Sequence, residues 1–308
     1  EYREFLIGQM EKGNNGLSKN KYLTFGIEAD NPRSAKARLE RLELDILNNF
    51  KTLGVKAVSL NGAVRLRVLH DALHLGEVVP FRFSWKDLPR NGMSTKDYIA
   101  PSSFEFNRDG RTFRMGQKFG AASCISLIAA EISDRMLADL LEIEHNMIVS
   151  MHMQSIDQVT AIKMIKRTVS DVGKMKLDEQ KKAVRAGYDP DILPPDLATY
   201  SEESLNLLKD LQSRNERMFQ LTFTIVNVAD TPRALDNMIF QLSNLIQGNN
   251  CGIFRLDFQQ EQGLTSALPL GLNRIEIQRG LTTSSAGILI PFTTQELFQT
   301  GKEALYYG

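Results

Sequence analysis

Nucleotide chemistry would need a loop of the form G-x-x-x-x-G-K-[ST]. Its backbone N–H groups cradle phosphates, its lysine reaches the terminal phosphates and its hydroxyl holds Mg²⁺. No such run occurs in the sequence. Gly116 to Gly120 lacks the following lysine, and the pair Gly301-Lys302 is followed by Glu303. The motifs HExxH and GxSxG and paired CxxC motifs are absent too, which leaves zinc-peptidase, serine-hydrolase and zinc-ribbon chemistry without a carrier.

The weaker constellations each have a plainer reading. His70 and His74 stand four apart, so a helix would place both rings on one face, with Asp71 and Glu77 as further ligands for a metal. A surface or half-buried histidine pair explains the same spacing and is the favoured reading. His145 and His152 read as structural histidines around a strand. Arg279 to Gly287 is rich in small hydroxyl residues ahead of the apolar run Ile288 to Ile290. A strand-edge turn is favoured there over a phosphate loop, because no helix-opening lysine follows.

The densest charge lies on a helix expected over 157–186. It carries Lys163, Lys166, Arg167, Lys174, Lys176, Lys181, Lys182 and Arg185 against Asp157, Asp171, Asp178 and Glu179, a net of +4. Arg167, Lys174 and Lys181 recur every seven residues and so roughly align. Such a stripe suits phosphates, anionic lipid or an acidic protein, but a solvated helix face explains the same charges and is the favoured reading. Few aromatic residues interleave it, which weakens single-strand nucleic-acid binding. The candidate partner-binding residues are Lys163, Lys166, Arg167, Lys174, Lys181, Lys182 and Arg185. No catalytic, cofactor or metal residue is assigned.

The elements that must position this stripe follow from periodicity. Tyr22 to Ala29 alternates Leu23, Phe25 and Ile27 with polar neighbours and predicts a strand. Asn31-Pro32 opens a helix with Ala35, Leu39, Leu42, Ile46, Phe50 and Leu53 on one stripe, ended by Gly54. Val55 to Leu60 predicts the second strand of a β-α-β unit, and Phe81, Phe83 and Trp85 alternate again. The construction returns at Phe219 to Ile225, a helix from Thr231-Pro232, and a strand over Ile253 to Phe258. It is a weak internal repeat or a second use of one grammar. Between the two lie a strand region from Thr112 to Ile128, a short helix opened by Ser133, a strand at Met147 to Met153, and two helices from about Asp157 and Ser201.

The expected class is therefore α+β: ferredoxin-like βαβ units with a long helical hairpin inserted between them. The expected domains are an amino-terminal βαβ lobe over 1–105 and a ferredoxin-like domain over 106–308, with the hairpin at about 157–215. Thirty-seven basic residues balance 37 acidic ones, so a uniformly basic nucleic-acid or lipid binder is excluded. The longest uncharged run, Asn237 to Phe254, is too polar for a membrane span. Cys124 and Cys251 lie in apolar sequence and read as buried thiols of a reducing compartment.

Several runs together resemble a known family. They are Tyr2 to Leu6 with Gln9 to Lys12, Lys21 to Phe25, Phe104 with Arg111 to Met115, Gln212 to Phe219, Gln259 to Gly263 with Leu268 to Gly271, and Arg279 to Ser285 through Pro291 to Glu296 and Ala304 to Gly308. The chain resembles the conjugal-transfer ATPases of type IV secretion, the VirB-four-type motors, in the version carried by conjugative elements of Gram-positive bacteria. The likeness spans essentially the whole chain and corresponds to the family's amino-terminal portion, ahead of the motor domain and its nucleotide loop.

The resemblance implies a docking and assembly domain, cytoplasmic and peripheral at the inner face of the cell membrane. It implies membrane components of the secretion channel as partners and a homo-oligomer for the full-length protein. It also implies that ATP and Mg²⁺ belong to the motor domain, with no cofactor in this portion and no enzyme activity of its own. A nucleic-acid-binding module using the basic helix 157–186 is the alternative. Because the cradle, lysine and Mg²⁺-binding hydroxyl are all missing from the sequence, calorimetry of this chain with Mg–ATP is expected to show no saturable heat. Saturable micromolar binding would contradict the assignment.

Overall fold

A computed structural model describes residues 17, 19–88, 92–127, 135–189, 194–214 and 216–289. Expectations placed on 1–16, on Ser133 and on 290–308 lie outside the described residues. The fold is mixed α+β, with nine helices and one seven-stranded antiparallel open sheet among the described residues. The strands are β1 (Phe104–Phe106), β2 (Phe113–Met115), β3 (Lys118–Leu127), β4 (Met147–Ser155), β5 (Met218–Ala229), β6 (Cys251–Arg255) and β7 (Arg279–Thr282). The helices are α1 (Pro32–Thr52), α2 (Gly62–Leu73), α3 (Thr95–Ile99), α4 (Arg135–Glu142), α5 (Gln158–Ala186), α6 (Pro195–Ser213), α7 (Pro232–Gly248), α8 (Gln260–Ala267) and α9 (Thr283–Ile288).

The ladder runs β1-β2-β3-β5-β4, with β6 added to β3 and β7 to β5. Both faces of its centre are covered. On one face Ile125, Leu127, Phe223 and Ile225 pack under Met136 and Leu140 of α4 and Leu242 and Ile246 of α7. On the other, Ala122, Cys124, Val226 and Val228 meet Leu73 of α2, Leu264 and Ala267 of α8, and Ile275. Every residue of β5 from Leu221 to Ala229 is consequently buried. Among the polar side chains of this stretch, Thr222 finds internal partners, whereas Thr224 Oγ1 and the Asn227 amide are buried without one among the described residues. The Thr222 hydroxyl donates to the Ile277 carbonyl (2.9 Å) and accepts from Asn273 Nδ2 (2.8 Å). His152 Nε2–H donates to the Ser266 carbonyl at 2.5 Å, tying β4 to α8.

The outer edge of β3 is shared by two short strands. β2 pairs with Lys118 to Gly120 and β6 with Ser123 to Leu127, which leaves Ala121 and Ala122 between them. Gln260, 3% exposed, fills the gap. Its Oε1 accepts from the Ala122 N–H (2.7 Å), and its Nε2 donates to the carbonyls of Ala122 (3.1 Å) and Leu256 (2.9 Å). Together with the Leu256 N–H, which donates to the Ala122 carbonyl (3.0 Å), this side chain completes the ladder and anchors the first turn of α8. Gly263, one turn on, has no room for a side chain, since a Cβ there would stand 2.4 Å from Ala122 Cβ.

Caps fix the helix starts. Asn31, Asp157 and Thr231 each accept a backbone N–H three residues on, and Pro32 and Pro232 take the first helical position. Helix α6 begins at Pro195, six residues before the expected Ser201, because proline at a first helical position sacrifices no hydrogen bond. Within its described residues, 112–127, the expected strand region is a tight hairpin, β2 turning into β3 at Gly116 (φ +55°).

The amino-terminal βαβ unit is corrected. Helix α1 is present, but neither 22–29 nor 55–60 is a strand, and α1 buries none of its residues. Alternation shows only that a segment suits a half-buried pleated surface, whereas a strand also needs a neighbour for its N–H and C=O groups. No described segment supplies one, and Leu23 (62%) and Val58 (70%) stand exposed. The stretch at Phe81, Phe83 and Trp85 is not a strand either. Its rings form an aromatic chain, with Phe83 edge-on to Trp85 (4.8 Å) and Tyr98 (5.1 Å). The position 105/106, expected as a domain boundary, lies inside β1.

Replacing Gln260 by Leu leaves the Ala122 N–H buried and unpaired. Urea unfolding is expected to show a loss of about 2 kcal/mol. Gly263→Ala is expected to lose about 1–3 kcal/mol by overpacking against Ala122. Stabilities equal to that of the unaltered chain would contradict the Gln260 anchor.

Candidate functional site: a charged helical hairpin

Helices α5 and α6 connect β4 to β5 and pack on each other in antiparallel fashion, away from the sheet. Their shared core lies at the base, where Ala161, Ile165 and Leu211 are buried against Ile162, Val169, Leu207, Leu208 and Met218. Gln158 fastens this base by donating to the carbonyls of Leu211 (2.7 Å) and Glu216 (3.1 Å). Helix α5 has 29 residues and so extends ~43 Å. Its last buried residue is Val172, and Gly187 ends it in the left-handed region (φ +76°).

The buried residues Ala161, Ile165 and Val172 mark the inward side of α5. At ~100° per residue, Lys163, Arg167, Lys174, Lys181 and Arg185 fall on the opposite side, within a wedge about 40° wide and ~33 Å long. All five are exposed. The structure thus brings five of the seven candidate residues into one line. Lys166 and Lys182 project from opposite flanks of it.

Acidic residues one turn earlier partly neutralise the stripe. Lys174 meets Asp171 (2.8 Å), Lys181 meets Asp178 (3.7 Å) and Lys182 meets Glu179 (2.6 Å). The hydrogen bond to Asp171 pushes the Lys174 ammonium above its ordinary pKa, and that to Glu179 does the same for Lys182. Lys163, Lys166, Arg167 and Arg185 form no ion pair among the described residues.

Charge is segregated between the two helices. Within its own bounds α5 holds eight basic and three acidic residues, whereas α6 holds Asp196, Glu202, Glu203 and Asp210 against Lys209 alone. Beyond the hairpin's apolar base the helices leave a groove of about 830 Å³. Asp178, Glu179, Asp196 and Glu203 line it with a single cation, Lys182, over the exposed surfaces of Met175 and Tyr200. Sequence reading missed this acidic groove, although Asp196 and Glu203 stand seven residues apart like members of the basic line.

The other candidates resolve into structural roles. His70 and His74 are buried, with their rings stacked at 4.1 Å. His74 Nδ1–H donates to the His70 carbonyl (2.8 Å), and His70 Nδ1–H donates to Asp71 (3.1 Å). Glu77 turns instead to the Gln117 N–H (3.4 Å), and no group of three metal-binding side chains occurs among the described residues. These histidines are a packed core pair of α2, more buried than the expected surface or half-buried pair.

Arg279 to Gly287 becomes β7 and the start of α9, where the Glu216 carboxylate already accepts the Ser284 N–H (3.1 Å). Cys124 and Cys251 are buried thiols, and burial pushes Cys124 up to about 11, removing it as a nucleophile. Of the aromatics in the segments 219–225 and 253–258, both expected as strands, Phe223 is buried and Phe219 half-buried, but Phe254 is partly exposed and Phe258 is 80% exposed. Strand β6 stops at Arg255, and Phe258 sits in the left-handed region (φ +62°), its N–H donating to the Gly110 carbonyl (2.7 Å).

No described helix is long and apolar enough to cross a membrane. No protein-family model matches the chain, and none of the curated proteins matches it either.

Proposed function

We propose that the chain is the docking and assembly domain of a conjugative type IV secretion ATPase of the VirB-four type. In this reading it is cytoplasmic, peripheral at the inner face of the cell membrane, and engaged with membrane components of the channel. Nucleotide chemistry belongs to a motor domain of the parent protein. The observation that carries the reading is the hairpin: an antiparallel helix pair that the sheet does not need, projecting from it with a line of exposed cations opposite its buried face. Insertions on a rigid scaffold are where binding functions concentrate.

The finer fold reading belongs here too. The antiparallel order β6-β3-β5-β4, with α4 and α7 on one face, supports a ferredoxin-like β-α-β-β-α-β core whose central connection has been replaced by the hairpin. In nucleic-acid-binding sheets of that kind bases stack on an open face. Here α8 and the segment through Ile275 cover that face, which disfavours the nucleic-acid alternative.

Overproduced in donor cells, a docking domain competes with the parent ATPase for its contacts. The chain is expected to lower DNA transfer about tenfold or more, and the variant Lys174→Glu/Lys181→Glu/Lys182→Glu, at equal abundance, to have little effect, since the reversal opposes docking by roughly 1 kcal/mol per charge near an anionic surface. Equal inhibition by both, or none by either, would contradict the reading. Salt-dependent binding of a single-stranded oligonucleotide, abolished in the variant, would support the alternative.

A further inference from the structure

We propose that the basic line of α5 docks into the acidic α5/α6 groove of a second copy of this chain. The inference rests on the hairpin being the assembly element and names its partner.

Three observations converge on a second copy. The first is charge. Lys163, Arg167, Lys174, Lys181 and Arg185 form the line, while the groove carries four carboxylates against Lys182. Each surface is thus the electrostatic complement of the other, and a chain of zero net charge carries both on one projecting element.

The second observation is pitch. Arg167, Lys174 and Lys181 recur every seven residues on α5, and Asp196 and Glu203, which line the groove, stand seven apart on α6. At 1.5 Å per residue both rows step by ~10.5 Å, so helices laid side by side can match cations to carboxylates in succession. The third is apolar surface. Leu177 and Val184 stand exposed beside the basic line, and Met175 and Tyr200 stand exposed in the groove. Contact between these patches removes apolar area that the monomer leaves in water.

Lys181 already meets Asp178 at the groove's edge (3.7 Å), but the line and one wall of the groove are fixed on the same helix α5, so a chain cannot lay the rest of its own line into its own groove. The contact is therefore heterologous, the line of one copy entering the groove of the next. Repetition gives a ring if the rotation closes and an open filament if it does not. An anionic membrane or a nucleic acid would use the line but leaves the acidic groove without a role.

A charge-swap experiment on the purified chain, read by sedimentation velocity across a concentration series at low and high salt, tests this. The line variant is Arg167→Glu/Lys174→Glu/Lys181→Glu, and the groove variant is Asp196→Lys/Glu203→Lys. Circular dichroism confirms that both are folded. The unaltered chain is expected to associate at low salt and to lose about tenfold or more in affinity at high salt. Each variant alone opposes like charges and stays monomeric. An equimolar mixture offers an acidic line to a basic groove and a basic line to an acidic groove, so association returns.

A mixture that stays monomeric while the unaltered chain associates would overturn the proposal. So would variants that associate as well as the unaltered chain, or an unaltered chain that is monomeric throughout yet binds anionic vesicles or an oligonucleotide through the line. Failure of the DNA-transfer experiment with a positive charge-swap result would remove the secretion reading and leave the self-docking surface standing.

Discussion

One side chain, Gln260, holds the outer edge of β3 together. No single strand spans that edge, because β2 pairs with it only as far as Gly120 and β6 only from Ser123. An amide side chain offers the donor and acceptor that a missing strand residue would have supplied, and Gln260 places both on Ala122. The same contact seats α8 on the sheet, where Gly263 allows it to lie against Ala122. With α8 in place the second face is closed, and Thr222, Ser266 and Asn273 find partners within that layer.

A sheet closed on both faces limits where function can reside. Its central strands present no platform to a ligand, and its histidines, cysteines and hydroxyl-rich loop are occupied in packing. Exposed charge is gathered instead on the connection between β4 and β5, which leaves the layered core and carries its own small apolar base. Exposed charges contribute little to folding stability, so the fold constrains the charges beyond that base only weakly. Their sorting, basic on α5 and acidic on α6, is a property that folding alone does not require.

Legibility in the sequence followed the range of the interactions involved. Asn31, Asp157 and Thr231 were readable as caps because a cap is settled within three residues. β4 and β5 were readable because their alternation is backed by real neighbours. The same alternation misled at 22–29 and 55–60, where the pattern exists without a pairing strand. Gln260 was invisible as an anchor, since its partner lies 138 residues away and a run of glutamines reads as polar helix. For the candidate site, the basic residues were plain in composition and their seven-residue step was visible. The groove was not, because it exists only where the distal half of α5 meets the first turns of α6, an antiparallel register that sequence does not display.

The central claim is that a closed sheet carries a hairpin whose charged surface makes the contacts. Hydrogen–deuterium exchange of the chain, compared at salt concentrations that favour and oppose association, tests it most directly. The account predicts that association adds protection over 163–185 and 194–210 while the amides of β3 and β5 stay unchanged. Added protection confined to 22–60 or to β1 and β4, with the hairpin unchanged, would contradict it.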